Sequence, residues 1–230
     1  MTRFALSPTM RISTTRLGHE REPVLLVDRF LADPAALVDA AAASDFAPVY
    51  GAGGGYPGVR ASAPLDYVAD AVRVLAAPIV EAFGLGAVRP RHAECSFSLV
   101  TLPPDRLVPA QRAPHVDTAS PYQFAILHYL CGPAFGGTAF FRHRATGYEA
   151  ITEARLAAYE AARAGEPAGP GYAAGDDAAF ERIGAVQAAF DRVVVYRSRL
   201  LHSGLVGDPA ALSADPRAGR LTANIFLTLA

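Results

Sequence analysis

Apolar and polar residues alternate along the C-terminal end of the chain. Leu221, Ala223, Ile225, Leu227 and Leu229 fall on one face of an extended segment, and Arg220, Thr222, Asn224 and Thr228 on the other. Successive side chains of a strand point to opposite sides, so a period of two separates the two sets. Such a strand fits the wall of a barrel that keeps a polar site inside. Other runs are apolar almost throughout. Pro23 to Asp28, Tyr122 to Cys131 and Val193 to Tyr196 read as strands, and Thr138 to Arg142 as a short one after a Gly136-Gly137 turn. Asp33-Pro34 opens a helix that runs to about Ala43, because Asp suits the cap and Pro the first turn. A second helix spans Pro64 to Phe83 and stops at Gly84. Gly51 to Gly58, with five glycines, reads as a flexible loop between them.

The predicted organisation is a single α+β domain over residues 1–230. Residues 1–86 form an N-terminal region, in which a poorly ordered start and an edge strand precede the strand and helices just described. Residues 87–230 form a β-rich core. An Ala-rich, helix-prone insertion at about 151–191 interrupts this core and is itself broken at 165–175 by prolines and glycines, a loop or lid candidate.

Composition narrows the class. With 51% hydrophobic and 19% charged residues, the chain has enough apolar material for a full core, which argues against global disorder. A net charge of -1 gives no basic excess for a nucleic-acid footprint. No apolar run is long enough for a membrane span, and the first residues, with Arg3 and Arg11 around a short apolar stretch, do not make a signal peptide. Cys95 and Cys131 lack metal-ligand spacing and sit on separate apolar strands, as buried small hydrophobes would. A reduced, cytoplasmic protein is expected, with a small-molecule substrate and no nucleic-acid or membrane partner. Its oligomeric state is open, a homodimer included.

The candidate chemistry centres on His115-Val116-Asp117 and the distant His202. One intervening residue returns His115 and Asp117 to the same face of an extended segment. Two imidazoles and one carboxylate can hold Fe(II) on one face and leave the opposite positions open. The same donors also make catalytic zinc sites, but the helical His-Glu-x-x-His motif of many zinc hydrolases is absent. Arg220 adds a fixed cation able to fork onto a carboxylate, and Thr222, on the same face, can donate its hydroxyl to the same group. Each residue alone has a plain structural alternative: a loop histidine, a turn-capping aspartate, a surface arginine.

In combination these pieces resemble the 2-oxoglutarate/Fe(II)-dependent dioxygenases, in particular their prolyl-hydroxylase-like branch. The shared order is His115-x-Asp117, Tyr129-Leu130, Gly136-Gly137, the aliphatic strand Val193–Tyr196, His202, then Arg220 opening the last strand. It covers roughly residues 92–230. Tyr56-Pro-Gly-Val-Arg60, Arg142–Glu149 and Arg197–Gly204 extend the likeness over nearly the whole chain, to a bacterial family of undefined function within that superfamily. The resemblance implies a double-stranded β-helix (jelly-roll) core with the N-terminal helices packed on it. It implies His115, Asp117 and His202 as metal ligands, and Arg220, Thr222 and Tyr129 as contacts to 2-oxoglutarate. Fe(II), 2-oxoglutarate and O2 would be the cofactors, and hydroxylation through ferryl hydrogen abstraction the default reaction. Asp117 stands where halogenating relatives carry a small residue.

Substrate-facing candidates are Tyr56 and Arg60 on the glycine-rich segment, Glu94 and Ser96 on one strand face with His92 and Ser98, His128 within its apolar run, and Arg142 beside His143 and Arg144. Their polarity suits a small polar substrate such as an amino acid or natural-product intermediate. Each also has a structural reading, with His128 a hydrogen-bonded core histidine and Arg142 the cap of a solvated strand end. Two functions of different class stand: an oxygenase, and a jelly-roll protein that binds metal or ligand without turnover. A zinc hydrolase is a further alternative.

Overall fold

β-branched, aromatic and aliphatic runs favour pleated, half-buried surfaces, and here they pair into two sheets. The computed structural model describes residues 4–51 and 54–230. In chain order its strands are β1 (Arg11–Leu17), β2 (Glu22–Asp28), β3 (Ala47–Gly51), β4 (Gly54–Ser62), β5 (Pro90–Val100), β6 (Gln123–Tyr129), β7 (Gly136–His143), β8 (Phe180–Gln187), β9 (Arg192–Arg197), β10 (His202–Val206) and β11 (Leu221–Leu229). The helices are α1 (Ala35–Ala42), α2 (Leu65–Ala82) and α3 (Glu153–Arg163). Eight strands form the larger sheet in the order β1-β2-β9-β6-β11-β5-β4-β3, and three form the smaller one, β10-β7-β8. The strand pairings are antiparallel, which gives a mixed α/β, jelly-roll-like arrangement.

Side-chain parity sorts the interior into three layers. Leu221, Ala223, Ile225 and Leu227 of β11 join Phe97, Phe124 and Ile126 on the outer face of the large sheet, where Leu75 and Ile79 of α2 cover them. The opposite parity of β6 and β9 places Ala125, Tyr129, Val194 and Tyr196 between the sheets, against Phe140 of β7. The outer face of the small sheet packs Phe141 and Phe180 on Tyr159 of α3. Each such large apolar side chain contributes about 1.5–3 kcal/mol by leaving water. The polar face of β11 is thereby turned inward between two hydrophobic sheets.

The structure departs from the sequence expectations in four places. The Gly51–Gly58 loop is an antiparallel hairpin, β3–β4, hydrogen-bonded to β5; residues 52 and 53 lie outside the described residues, as do 1–3 of the N-terminal start. Gly55, at φ +92°, supplies a left-handed position there that other residues adopt only under strain. The insertion is shorter than 151–191, because Phe180–Gln187 forms β8 of the small sheet along β7. The N-terminal region is not separate from the β-rich core, because β2 pairs with β9; β1 is an edge strand of the large sheet, as expected. Gly136-Gly137 opens β7 instead of making a separate turn. A Cβ on Gly137 would meet the Val186 carbonyl at 2.0 Å, so β8 approaches more closely than any side chain permits.

Candidate metal centre and its pocket

His115 and His202 exchange main-chain hydrogen bonds, each N–H donating to the other's carbonyl at 2.9 Å. This one bridge fixes the segment before β6 against the start of β10 and brings the two rings to 4.5 Å between centroids. Asp117 is anchored in turn, its N–H donating to the Ser198 carbonyl at 2.8 Å. The Nε2 atoms of His115 and His202 lie 3.9 and 3.8 Å from the two carboxylate oxygens of Asp117. Those gaps are too long for hydrogen bonds, yet two ligands on one ion with bonds of about 2.1 Å can span up to about 4.2 Å. One donor atom from each of the three residues lies within 4.8 Å of the others. The Nδ1 of His202 sits 2.8 Å from the Leu200 carbonyl. A carbonyl only accepts, so Nδ1 carries the proton and Nε2 keeps its lone pair for the Asp117 side, as metal-binding histidines require.

The wall beyond His202 belongs to Arg220. This side chain is 4% exposed and is held by main-chain carbonyls of the small sheet. Nε donates to Phe135 and Leu205 at 3.1 Å, and Nη2 to Gly137 at 2.6 Å. Among the described residues no carboxylate pairs with it. A buried guanidinium without a counter-charge is costly, and Arg220 lines the same pocket as the three donor residues. The Thr222 and Tyr56 hydroxyls, both buried beside it, also complete no hydrogen bond among the described residues, although they lie close enough to influence one another. Gly204 lies two residues beyond His202 on β10, and a Cβ there would stand 3.7 Å from Arg220 Nη2. The histidine and the guanidinium are therefore separated by about one pleat repeat, roughly 6.8 Å along the strand, a span suited to a short diacid.

One pocket joins these groups. His115, Asp117, His202, Arg220, Thr222 and Tyr56 all line it. Burial raises the Tyr56 phenol pKa against the opposing pull of Arg220 and Arg60. Burial first, then Asp117, raises that of Tyr196 well above the usual tyrosine value, so its phenol stays protonated at neutral pH. Tyr196 packs on the His202 ring at 4.7 Å.

The sequence from residue 8 to 227 matches the family model DUF6445, described as a family of unknown function. The chain belongs to DUF6445. No curated protein matches it. The DUF6445 chain is similar to the solved structure of SnoN, a non-heme α-ketoglutarate-dependent epimerase from nogalamycin biosynthesis, at 14% identity and a TM-score of 0.49, covering 91% of this chain and 80% of that one. It is similar to AviO1 from Streptomyces viridochromogenes Tue57 at 15% identity and 0.45, covering 99% and 90%. It is also similar to HygX from Streptomyces hygroscopicus, solved with nickel, 2-oxoglutarate and hygromycin B, at 11% identity and 0.45, covering 95% and 82%. None of the three assigns an activity to this DUF6445 chain.

The remaining predicted site residues divide. Arg60 lines the pocket, its guanidinium 4.5 Å from the Tyr56 ring centre. Tyr129 lies one layer behind, bonded at 2.6 Å to Thr138, which does line the pocket. The other four expectations are corrected. His128 has the parity of the helix-facing side of β6, and its ring bridges Tyr67 and Asp191 at 3.1 and 3.0 Å. Glu94 lies at the exposed end of β5, paired with His92. Ser96 sits opposite Asn224 but does not reach the pocket. Arg142 lies past a register shift in β7 and is taken up by Glu149 and Glu181. Burial alone would raise the Glu149 carboxyl pKa, but the N–H groups of Glu20 and His19 and the Arg142 guanidinium hold it low. Sequence reasoning missed Tyr196 and Tyr172 in the pocket wall. Tyr196 carried a signal, as the polar end of an aliphatic strand six positions before His202. Tyr172 lies in the glycine-rich part of the insertion, where no periodicity marks it, and donates to the Leu102 carbonyl at 2.6 Å.

The pKa of His115 is pushed down to about 4, first by desolvation and then by His202, against Asp117 and the Ala113 carbonyl. Desolvation is partial, since 53% of the side chain still reaches solvent. A folded-state pKa below the unfolded value means that the unfolded chain takes up the proton first as pH falls. The metal-free DUF6445 protein should therefore lose stability between about pH 6.5 and 4 through this group. Urea unfolding across that window should show a shallower pH slope for His115→Gln than for the wild type. Equal slopes would place the ring in ordinary solvent.

Proposed function

We propose that this DUF6445 chain is an Fe(II)- and 2-oxoglutarate-dependent oxygenase that hydroxylates a small polar molecule in the cytoplasm. In this reading residues 1–230 are one domain with a double-stranded β-helix core, of the prolyl-hydroxylase-like branch. One observation carries the proposal: a buried arginine without an ion pair among the described residues lines the same pocket as a His/Asp/His donor cluster. The donor set of two imidazoles and one carboxylate suits Fe(II) with open positions. Zinc would accept the same donors, but a zinc hydrolase has no need for a caged guanidinium beside two unsatisfied hydroxyls.

His115, Asp117 and His202 would hold the iron, with the Leu200 carbonyl keeping the His202 ring in the ligating tautomer. Bound there, iron supplies the activation of dioxygen coupled to conversion of 2-oxoglutarate into succinate and carbon dioxide. The protein's own part is positioning and exclusion of water. Arg220 and Thr222 would grip the far carboxylate of the diacid, the Tyr56 phenol would close the same cradle, and Tyr129 would steady it from behind through Thr138. Apolar side chains of Val100, Leu127 and Phe226 line the same space. The Tyr196 phenol, kept protonated by burial, can donate a hydrogen bond but does not act as a base at neutral pH.

The test is succinate formation in air. Protein loaded with Fe(II) should convert 2-oxoglutarate to succinate, slowly without substrate and faster with it, whereas Zn(II)-loaded protein should give none. Tight 2-oxoglutarate binding without any succinate under either condition would make the chain a binder and overturn the catalytic reading.

A further inference from the structure

Hydrogen-bond register links Arg60 to Thr222 across the large sheet. Arg60 of β4 pairs with Ser98 of β5, Ser98 with Thr222 of β11, and Thr222 with Tyr129 of β6. Residues paired in this way share a face of the sheet, so Arg60 points to the same side as Thr222. It stands two strands away, about 9.6 Å at the Cα atoms. Tyr56 lies on that face too, four residues before Arg60 on the same strand. The guanidinium stacks on its ring at 4.5 Å, an arrangement that orients a cation without neutralising it.

Arg60 is otherwise unspent. Among the described residues its buried Nε has no hydrogen-bond partner, and no carboxylate forms an ion pair with it. Asp117 is the one carboxylate among the described residues lining the pocket. The 2-oxoglutarate cradle is already complete without Arg60, since Arg220, Thr222 and Tyr56 together offer enough donors for one carboxylate. Charge leads to the same conclusion. Two guanidinium groups and one aspartate, with a divalent ion and a diacid bound, leave one positive charge unmatched in a largely apolar enclosure.

We propose that Arg60 is a substrate anchor that takes a single acidic group, a carboxylate or a phosphate, so that the primary substrate is an anion. The proposal rests on the oxygenase reading for what occupies the rest of the pocket. Tyr172 lines the same pocket.

The experiment uses the full chain loaded with Mn(II) and 2-oxoglutarate. Acetate or inorganic phosphate is titrated in exchange for chloride at constant ionic strength, and thermal unfolding is followed. One of the two anions should stabilise the wild type saturably, and which of them does so identifies the acid. Arg60→Gln should weaken that anion at least tenfold while the 2-oxoglutarate requirement stays within about threefold. Arg60→Lys, which keeps the charge on a chain of similar length, should recover part of the loss and covers the case in which Arg60→Gln fails to fold. Equal anion dependence in the wild type, Arg60→Gln and Arg60→Lys, or no stabilisation of the wild type by either anion, would overturn the anchor. Failure of the oxygenase reading looks different: 2-oxoglutarate would bind Arg220→Gln and wild type alike, whatever Arg60 does with the added anion.

Discussion

Arg220→Ala is expected to raise the 2-oxoglutarate concentration needed for half-saturation by about 10- to 150-fold, the equivalent of about 1.5–3 kcal/mol for a hydrogen bond to a charged group. Metal affinity should stay within about threefold, because Arg220 contacts none of the three donor residues and stands one pleat repeat along β10 from His202. Equilibrium dialysis of 2-oxoglutarate against Mn(II)-loaded protein reads the first quantity, and calorimetry with Mn(II) alone reads the second. Truncation also leaves the Phe135, Gly137 and Leu205 carbonyls without their donor, so some loss of stability accompanies it. Arg220→Lys separates the effects: it restores charge but not the planar fork, and should recover only part of the co-substrate affinity. Equal losses of metal and 2-oxoglutarate binding in Arg220→Ala would count against a dedicated carboxylate grip.

His202→Ala is expected to lower metal affinity by more than 100-fold, beyond the roughly 10- to 100-fold that loss of an outer hydrogen-bond partner costs. The fold should survive, because the contacts that hold this position are main-chain bonds to His115 and the pairing of β10 with β7, neither of which needs the imidazole. His115→Ala should behave similarly, and a helical and sheet signature unchanged in circular dichroism would show that the loss is local. Retention of wild-type Mn(II) affinity in either variant would remove that histidine from the ligand set.

What the sequence revealed and what it hid follows from how each signal is written. The alternation in Arg220–Leu229 placed Arg220 and Thr222 on one face, and that face is the one turned between the sheets. The single residue between His115 and Asp117 likewise implied a shared direction. His128 was harder, because β6 is buried on both faces, and an apolar run gives no sign of which parity meets the pocket. Arg142 finds Glu149 and Glu181 only through the fold, across gaps of 7 and 39 residues. β8 was hidden in the insertion because its burial is uneven, with exposed positions along the strand, so Ala-rich flanks outweighed it. The glycines of 51–58 signalled a loop where they in fact permit a tight hairpin.

In the proposed oxygenase, one pocket holds a metal at His115, Asp117 and His202 and a diacid between that metal and Arg220. Anaerobic titration of the Fe(II)-loaded protein with 2-oxoglutarate, followed by visible absorbance, tests it most directly. A weak metal-to-ligand charge-transfer band that saturates in the wild type, needs far more 2-oxoglutarate in Arg220→Ala and is absent in His202→Ala is the expected result. No band in the wild type, or the same band in all three proteins, would contradict it.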